Sequence, residues 1–137
     1  MEKFIAFVVE QWILVFLFLG LIGFYFWNEK RRSGQVMSIH QVTRLVNSDG
    51  GVLVDLRDNG DYKSGHINNA INIPYAKLND RASELDKHKS KTVVLVDKMG
   101  QHTGAAGRDL LKLGFQVARL EGGMTEWQAQ KLPVVKS

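Results

Sequence analysis

Apolar residues follow two regimes along this chain. Over Phe4 to Val9 and again over Gln11 to Trp27 they are almost unbroken, and Glu10 is the one formal charge between the two runs. As a helix rising 1.5 Å per residue, Phe4 to Trp27 spans about 36 Å, enough to cross the hydrocarbon core of a bilayer with some tilt. Phe24, Tyr25, Phe26 and Trp27 gather at one end and Trp12 lies near the other, where amphipathic rings settle at membrane interfaces. The run ends in Phe-Tyr-Phe-Trp-Asn-Glu-Lys-Arg-Arg rather than in a small-residue cleavage site, so it reads as an anchor and not as a secretory leader. A buried helix of a soluble core is seldom so apolar on every side. Glu10 lies in the first third of the segment, where it either sits near an interface or is neutral.

Beyond Met37 the pattern shortens and alternates. Val52-Leu53-Val54-Asp55-Leu56 and Thr92-Val93-Val94-Leu95-Val96 are nearly continuous apolar runs rich in β-branched residues, the signature of strands buried on both faces of a parallel sheet. Ile71-Asn72-Ile73 and Gln116 to Leu120 predict shorter strands, and Ser38-Ile39 an edge strand. Ile39, Val42, Leu45 and Val46 have helical spacing. So do Ala106, Leu110, Leu111 and Leu113, with Gly114 as a stop signal. Leu78 to Leu85 and Thr125 to Gln130 are further helical candidates. Strands alternating with helices predict an α/β domain with a parallel sheet flanked by helices, preceded by one transmembrane helix.

Composition changes this picture in one decisive way: the 137 residues include no cysteine. That excludes disulfides, thiolate metal sites and any cysteine nucleophile. The net charge of +4 is modest. The run Lys87-His88-Lys89-Ser90-Lys91 has no interleaved aromatics and reads as a solvated turn, so no nucleic-acid partner is expected. Lys30, Arg31 and Arg32 outweigh Lys3 across the apolar segment. By the positive-inside rule they place the N-terminus outside and the domain in the cytoplasm, and they can also touch anionic headgroups.

In open α/β sheets ligands bind beyond the carboxyl ends of the strands. This singles out the loop Asp97, Lys98, Met99, Gly100, Gln101, His102, leading into a helix at Thr103. A tight loop before a helix gathers backbone N–H groups into an anion cradle. The spacing of a nucleotide phosphate loop is absent, since no Lys-Ser or Lys-Thr follows the glycine.

Four segments together resemble the rhodanese family over Ser38 to Pro133. They are Val52 to Arg57 (VLVDLR), Gly65 to Pro74 (GHINNAINIP), Asp97 to Phe115 with its terminal Gly-Phe, and Glu121 to Trp127 (EGGMTEW) followed by Leu132-Pro133. The resemblance implies a small parallel sheet flanked by helices, with the active site at the 97–103 loop. Beside it, physical roles follow for the supporting positions. Asp55 at a strand end accepts hydrogen bonds, Arg57 pairs with it or with another carboxylate, Gly65 supplies a backbone conformation closed to larger residues, and His66 orients a loop. Gly122 and Gly123 make a turn, and Trp127 belongs to the core.

The family carries sulfur as a persulfide on a cysteine at the first loop position, which here is Asp97; His102 stands where the family often has an arginine. A carboxylate cannot carry a persulfide, so the chain alone is expected to be no sulfurtransferase, and no residue is assigned as catalytic. Two readings of Asp97 remain. Its carboxylate fills the cradle and fixes the loop as a recognition surface, or it attacks phosphate with Lys98 and His102 as helpers. The second would ordinarily need a metal ion, and no carboxylate cluster for one is visible near the loop. Sulfur transfer with a thiol supplied by another protein also stays open.

The expected organisation is an anchor over 1–32, a linker over 33–36 and a rhodanese-like domain over 37–137. The expected protein resembles small membrane-tethered single-rhodanese proteins of bacteria: single-pass, in the inner membrane, without cofactor or metal. Its expected partners are the bilayer itself and a membrane protein or a factor docked on one. Gly20 and Gly23 are three apart, not four, and only weakly suggest helix pairing.

Overall fold

The computed structural model describes residues 1–136, leaving aside the side chains of residues 29–33. It divides into two compact units, Met1–Arg31 and Arg32–Ser137. The first holds all but the last two residues of helix α1, Glu2–Ser33, within which Glu2–Asn28 is long and apolar enough to cross a membrane. Its apolar side chains stand exposed around the whole circumference, from Phe4 through Leu14 to Trp27, as no helix in a soluble core would leave them. The side chains of Lys30, Arg31 and Arg32, on which the orientation argument rests, lie outside the described residues.

The second unit is built on five parallel strands. These are β1 (Gln35–Met37), β2 (Gly51–Asp55), β3 (Ile71–Asn72), β4 (Thr92–Val96) and β5 (Gln116–Leu120), in the spatial order β1-β5-β4-β2-β3. Strand β4 sits at the centre and shows why its apolar run is unbroken. Val93 and Leu95 face a layer with Val54, Leu85, Ala106, Leu110 and Phe115, while Val94 and Val96 face another with Val42, Leu53, Ala118, Met124 and Trp127. Both faces are buried, so period-two alternation of polar and apolar residues has nothing to act on.

Helix α2 (Ile39–Asn47) starts at Ser38 with a capping box: Ser38 Oγ accepts from Gln41 N at 3.3 Å, and Ser38 N donates to Gln41 Oε1 at 2.9 Å. Helix α3 is Asn59–Ser64 and α4 is Leu78–Arg81, the latter set between 3₁₀ turns at Tyr75–Lys77 and Ala82–His88. Helix α5, Thr103–Lys112, ends on Gly114 at φ 93°, where Phe115 N returns to Leu110 O and buries its ring. Helix α6, Gly123–Ala129, closes the domain, with Trp127 buried against α2 and its Nε1 donating to Pro133 O.

Three expectations change. Ser38-Ile39 is not an edge strand, because Ser38 caps α2; the edge strand lies just before it, at Gln35–Met37. The stretch expected as a linker is structured as well, since Gln35 and Val36 pair with Ala118 and Arg119 of β5. Leu78 to Leu85 is a broken helix, four α-helical residues followed by a 3₁₀ run.

Deleting a central side chain should be felt throughout this two-sided core. Leu95→Ala, at a fully buried position of β4, should lower stability by about 2–5 kcal/mol. The half-exposed Leu113→Ala should change it by less than about 0.5 kcal/mol. Urea midpoints of the full chain in detergent micelles separate the two outcomes.

Candidate functional site

The carboxyl ends of β2 and β4 lie side by side, Asp55 opposite Val96, and each strand delivers a buried carboxylate there. Asp97, directly after β4, is only 4% exposed. Its side chain turns back into its own loop: Oδ1 accepts from Lys98 N at 2.7 Å, and Oδ2 accepts from His102 N at 2.8 Å. The carboxylate therefore occupies the centre of the loop's N–H groups as a built-in anion. Gly100 takes φ 92° to turn the chain, Thr103 Oγ1 donates to Gly100 O at 3.1 Å, and Gln101 Oε1 accepts from Met99 N at 3.3 Å. Lys98, Met99 and Gln101 stand out from the surface, Met99 at 60% exposure.

The loop is held from behind by α6. Met124 N donates to Asp97 O at 2.8 Å, while Thr125 gives both its N–H and its hydroxyl to Lys98 O at 2.9 Å. This approach leaves no room at Gly123, where a Cβ would sit 2.3 Å from Asp97 O, on a backbone at φ 60°. The Gly122-Gly123 turn expected from the sequence is thus also the contact surface for the loop.

A second group of residues supports the site from β2. Arg57 Nη2 meets Asp55 Oδ2 at 2.7 Å, Arg57 Nε lies 3.0 and 3.1 Å from the two oxygens, and Arg57 N donates to Oδ1 at 3.0 Å. The same Nη2 reaches Gly65 O at 2.7 Å, so the pair is both buried and hydrogen-bonded. Gly65 differs from expectation. Its backbone is extended at φ 161°, open to any residue, and its constraint is packing, since a Cβ would meet Val134 Cγ2 at 3.3 Å. His66 is buried and stacks on Tyr62 with ring centres 3.7 Å apart. Its Nδ1 lies 2.7 Å from Tyr62 O, which can only accept, so Nδ1 carries the proton. Through its backbone, His66 also bridges to Val135. Its ring and backbone contacts tie the chain after α3 to Tyr62 and Val135, and it does not line the cleft described below. Burial first, and then the Asp55 carboxylate, push the Tyr62 phenol upward, which keeps it a donor to Ala70 O at 2.6 Å.

In front of the loop lies a cleft of about 310 Å³ that brings Asp97, Lys98, Gln101 and His102 together with Arg57, Asp58, Asp61 and Tyr75. Four residues here escaped the sequence reading. Asn72 Nδ2 ties the chain after β2 by donating to Asp55 O and Arg57 O. The ring of Tyr75 stacks on His102 at 4.6 Å. Asp58 and Asp61 supply the far wall. A larger apolar groove of about 360 Å³, between α2 and Pro133, shares no lining residue with this cleft. Chemically the site is an anion cradle already filled by a side chain of the chain itself, with acceptor-only atoms at its centre.

The rhodanese-like domain family profile matches residues 38–130. Protein YibN of Escherichia coli (strain K12) is 36% identical over 104 residues, covering 74% of this chain and 73% of that protein. A rhodanese-related protein of Thermoplasma volcanium superposes with a TM-score of 0.68 at 24% identity, over 75% of this chain and 99% of its own. Thiosulfate sulfurtransferase of Pseudomonas aeruginosa does so with a TM-score of 0.68 at 22% identity, over 79% of this chain and 21% of its own. At those identities the two solved structures show a shared fold.

Removing the built-in anion should loosen the loop. Asp97→Ala leaves the Lys98 and His102 N–H groups without their acceptor and should cost about 1–3 kcal/mol per group left unsatisfied, less where water enters. Amide exchange at residues 98 and 102 should quicken while β4 stays protected, and unchanged exchange there would contradict the assigned hydrogen bonds. Removing one partner of the buried ion pair, as in Asp55→Ala, should cost about 3–5 kcal/mol by urea unfolding.

Proposed function

The chain belongs to the rhodanese-like domain family, and from that premise we propose that it is a membrane-tethered, catalytically inactive member serving as a protein-interaction module. On this reading it works at the cytoplasmic face of the inner membrane. The observation that carries the proposal is the Asp97 carboxylate seated in the loop and bonded to Lys98 N and His102 N. A rhodanese needs a cysteine at that point to accept sulfane sulfur, and the chain has none anywhere. The carboxylate offers no sulfur atom to accept one, and it occupies the N–H groups that would otherwise hold an anionic substrate.

What remains is a surface of fixed shape. Met99 projects from the loop tip, and the stacked Tyr75–His102 pair forms one wall beside it. Exposed apolar and aromatic groups on a rigid loop are the usual anchors of protein recognition. The apolar helix α1 supports the tethering half of the reading. Confinement beside other membrane proteins raises the effective concentration of the domain for them without any new contact. Partners on this reading are membrane proteins or factors docked on them.

The direct check is thiosulfate-to-cyanide sulfur transfer by the full chain in detergent micelles, beside its Asp97→Cys variant. The parent should be silent. The variant should gain activity, because a cysteine thiolate can take the carboxylate's place before the Lys98 and His102 N–H groups and supplies the nucleophile. Transfer by the cysteine-free parent would overturn the inactive reading.

A further inference from the structure

The apolar anchor contains a polar pair with no assigned role. Glu10 and Gln11 are adjacent in α1, with apolar side chains on both sides of them along the helix. Both are exposed, and no side-chain hydrogen bond or ion pair involves either among the described residues. No side chain three or four residues away on the same helix can satisfy them, and polar groups below the headgroups are costly unless another helix supplies the partner.

Their position on the helix indicates which surface would be covered. Steps of three and four residues through Gln11 pick out Phe7, Leu14, Phe18 and Leu21, a single stripe with the spacing of a left-handed helix pair. Glu10 flanks this stripe beside Gln11. Gly20 and Gly23 fall on the opposite side and do not contribute to it.

We infer that α1 pairs in parallel with α1 of a second copy of this chain along that stripe, each Gln11 amide donating to the Glu10 carboxylate of the other copy. Two features favour a second copy as the occupant. Copies of one chain insert with the same orientation, so residues 10 and 11 meet at the same depth without any axial shift. A donor and an acceptor side by side are also self-complementary about a two-fold axis, which satisfies both polar groups on both helices at once. A lone polar residue at a packing position fixes register in the same way. The inference rests on α1 spanning a membrane, as proposed above.

Because the chain lacks cysteine, single-cysteine variants of the full chain in native membranes report contacts directly. On oxidation with copper phenanthroline, Phe7→Cys, Leu14→Cys and Leu21→Cys should give disulfide-linked dimers, while Gly20→Cys and Gly23→Cys should not. In the Leu14→Cys background, Glu10→Leu and Gln11→Leu should each weaken pairing about tenfold, and Glu10→Gln should largely retain it. Cross-linking that is absent, uniform, strongest at the glycine face, or indifferent to both leucine substitutions overturns the inference. Alkaline carbonate extraction of the same membranes keeps the two readings apart. Release of the chain from the membrane would defeat the anchoring reading, whereas a retained chain without the expected cross-links would defeat the pairing alone.

Discussion

Two carboxylates buried at the ends of neighbouring strands impose the main constraint on this domain. A carboxylate out of water must find a cation or several donors, and Asp55 and Asp97 solve the problem in opposite ways. Asp55 takes the guanidinium of Arg57, whose remaining reach goes to Gly65 O and so pins the segment after α3. Asp97 takes backbone N–H groups alone, with no ion pair to it among the described residues. The first solution is carried by a side chain and survives small shifts of the backbone. The second exists only while residues 97–102 hold one conformation.

That dependence explains the close seat of α6. The loop carbonyls of Asp97 and Lys98 accept from Met124 and Thr125, and Gly123 lets the two backbones approach more closely than any Cβ would permit. The loop is thus bonded from inside by its own carboxylate and from behind by the last helix. In the family the first position of this loop is a cysteine that carries sulfur as a persulfide. Here the occupant is permanent, and the binding capacity of the cradle has become part of the folded state.

Much of this was legible in the sequence, for identifiable reasons. Strands β2 and β4 announced themselves because burial on both faces demands apolar runs rich in β-branched residues, and α2 and α5 because each buries one side. Helix α3 was missed, since Asn59-Gly60-Asp61-Tyr62-Lys63-Ser64 has no apolar period and buries none of its residues. The edge strand was displaced by three residues because Ser38 followed by Gln41 is a cap signal and Gln35-Val36-Met37 is too short to show alternation. The 97–103 loop and its supporting residues were found through family resemblance and the strand-end rule. Tyr75 and Asn72 were not, because their partners His102, Asp55 and Arg57 lie 15 or more residues away and are brought near only by the fold.

On the proposed reading, a carboxylate in place of the family's cysteine does more than remove the nucleophile. A loop that must reorganise around an incoming ligand spends part of its interaction energy on ordering, whereas one already held in place does not. Asp97 supplies that order from within, at the cost of the site's capacity for an anion. The exposed groups around it, Met99 at the tip and the Tyr75–His102 stack at the wall, are then displayed by a frame that does not have to be formed on contact. On the proposed reading, the residue that excludes a persulfide at position 97 is the same one that readies the loop for recognition.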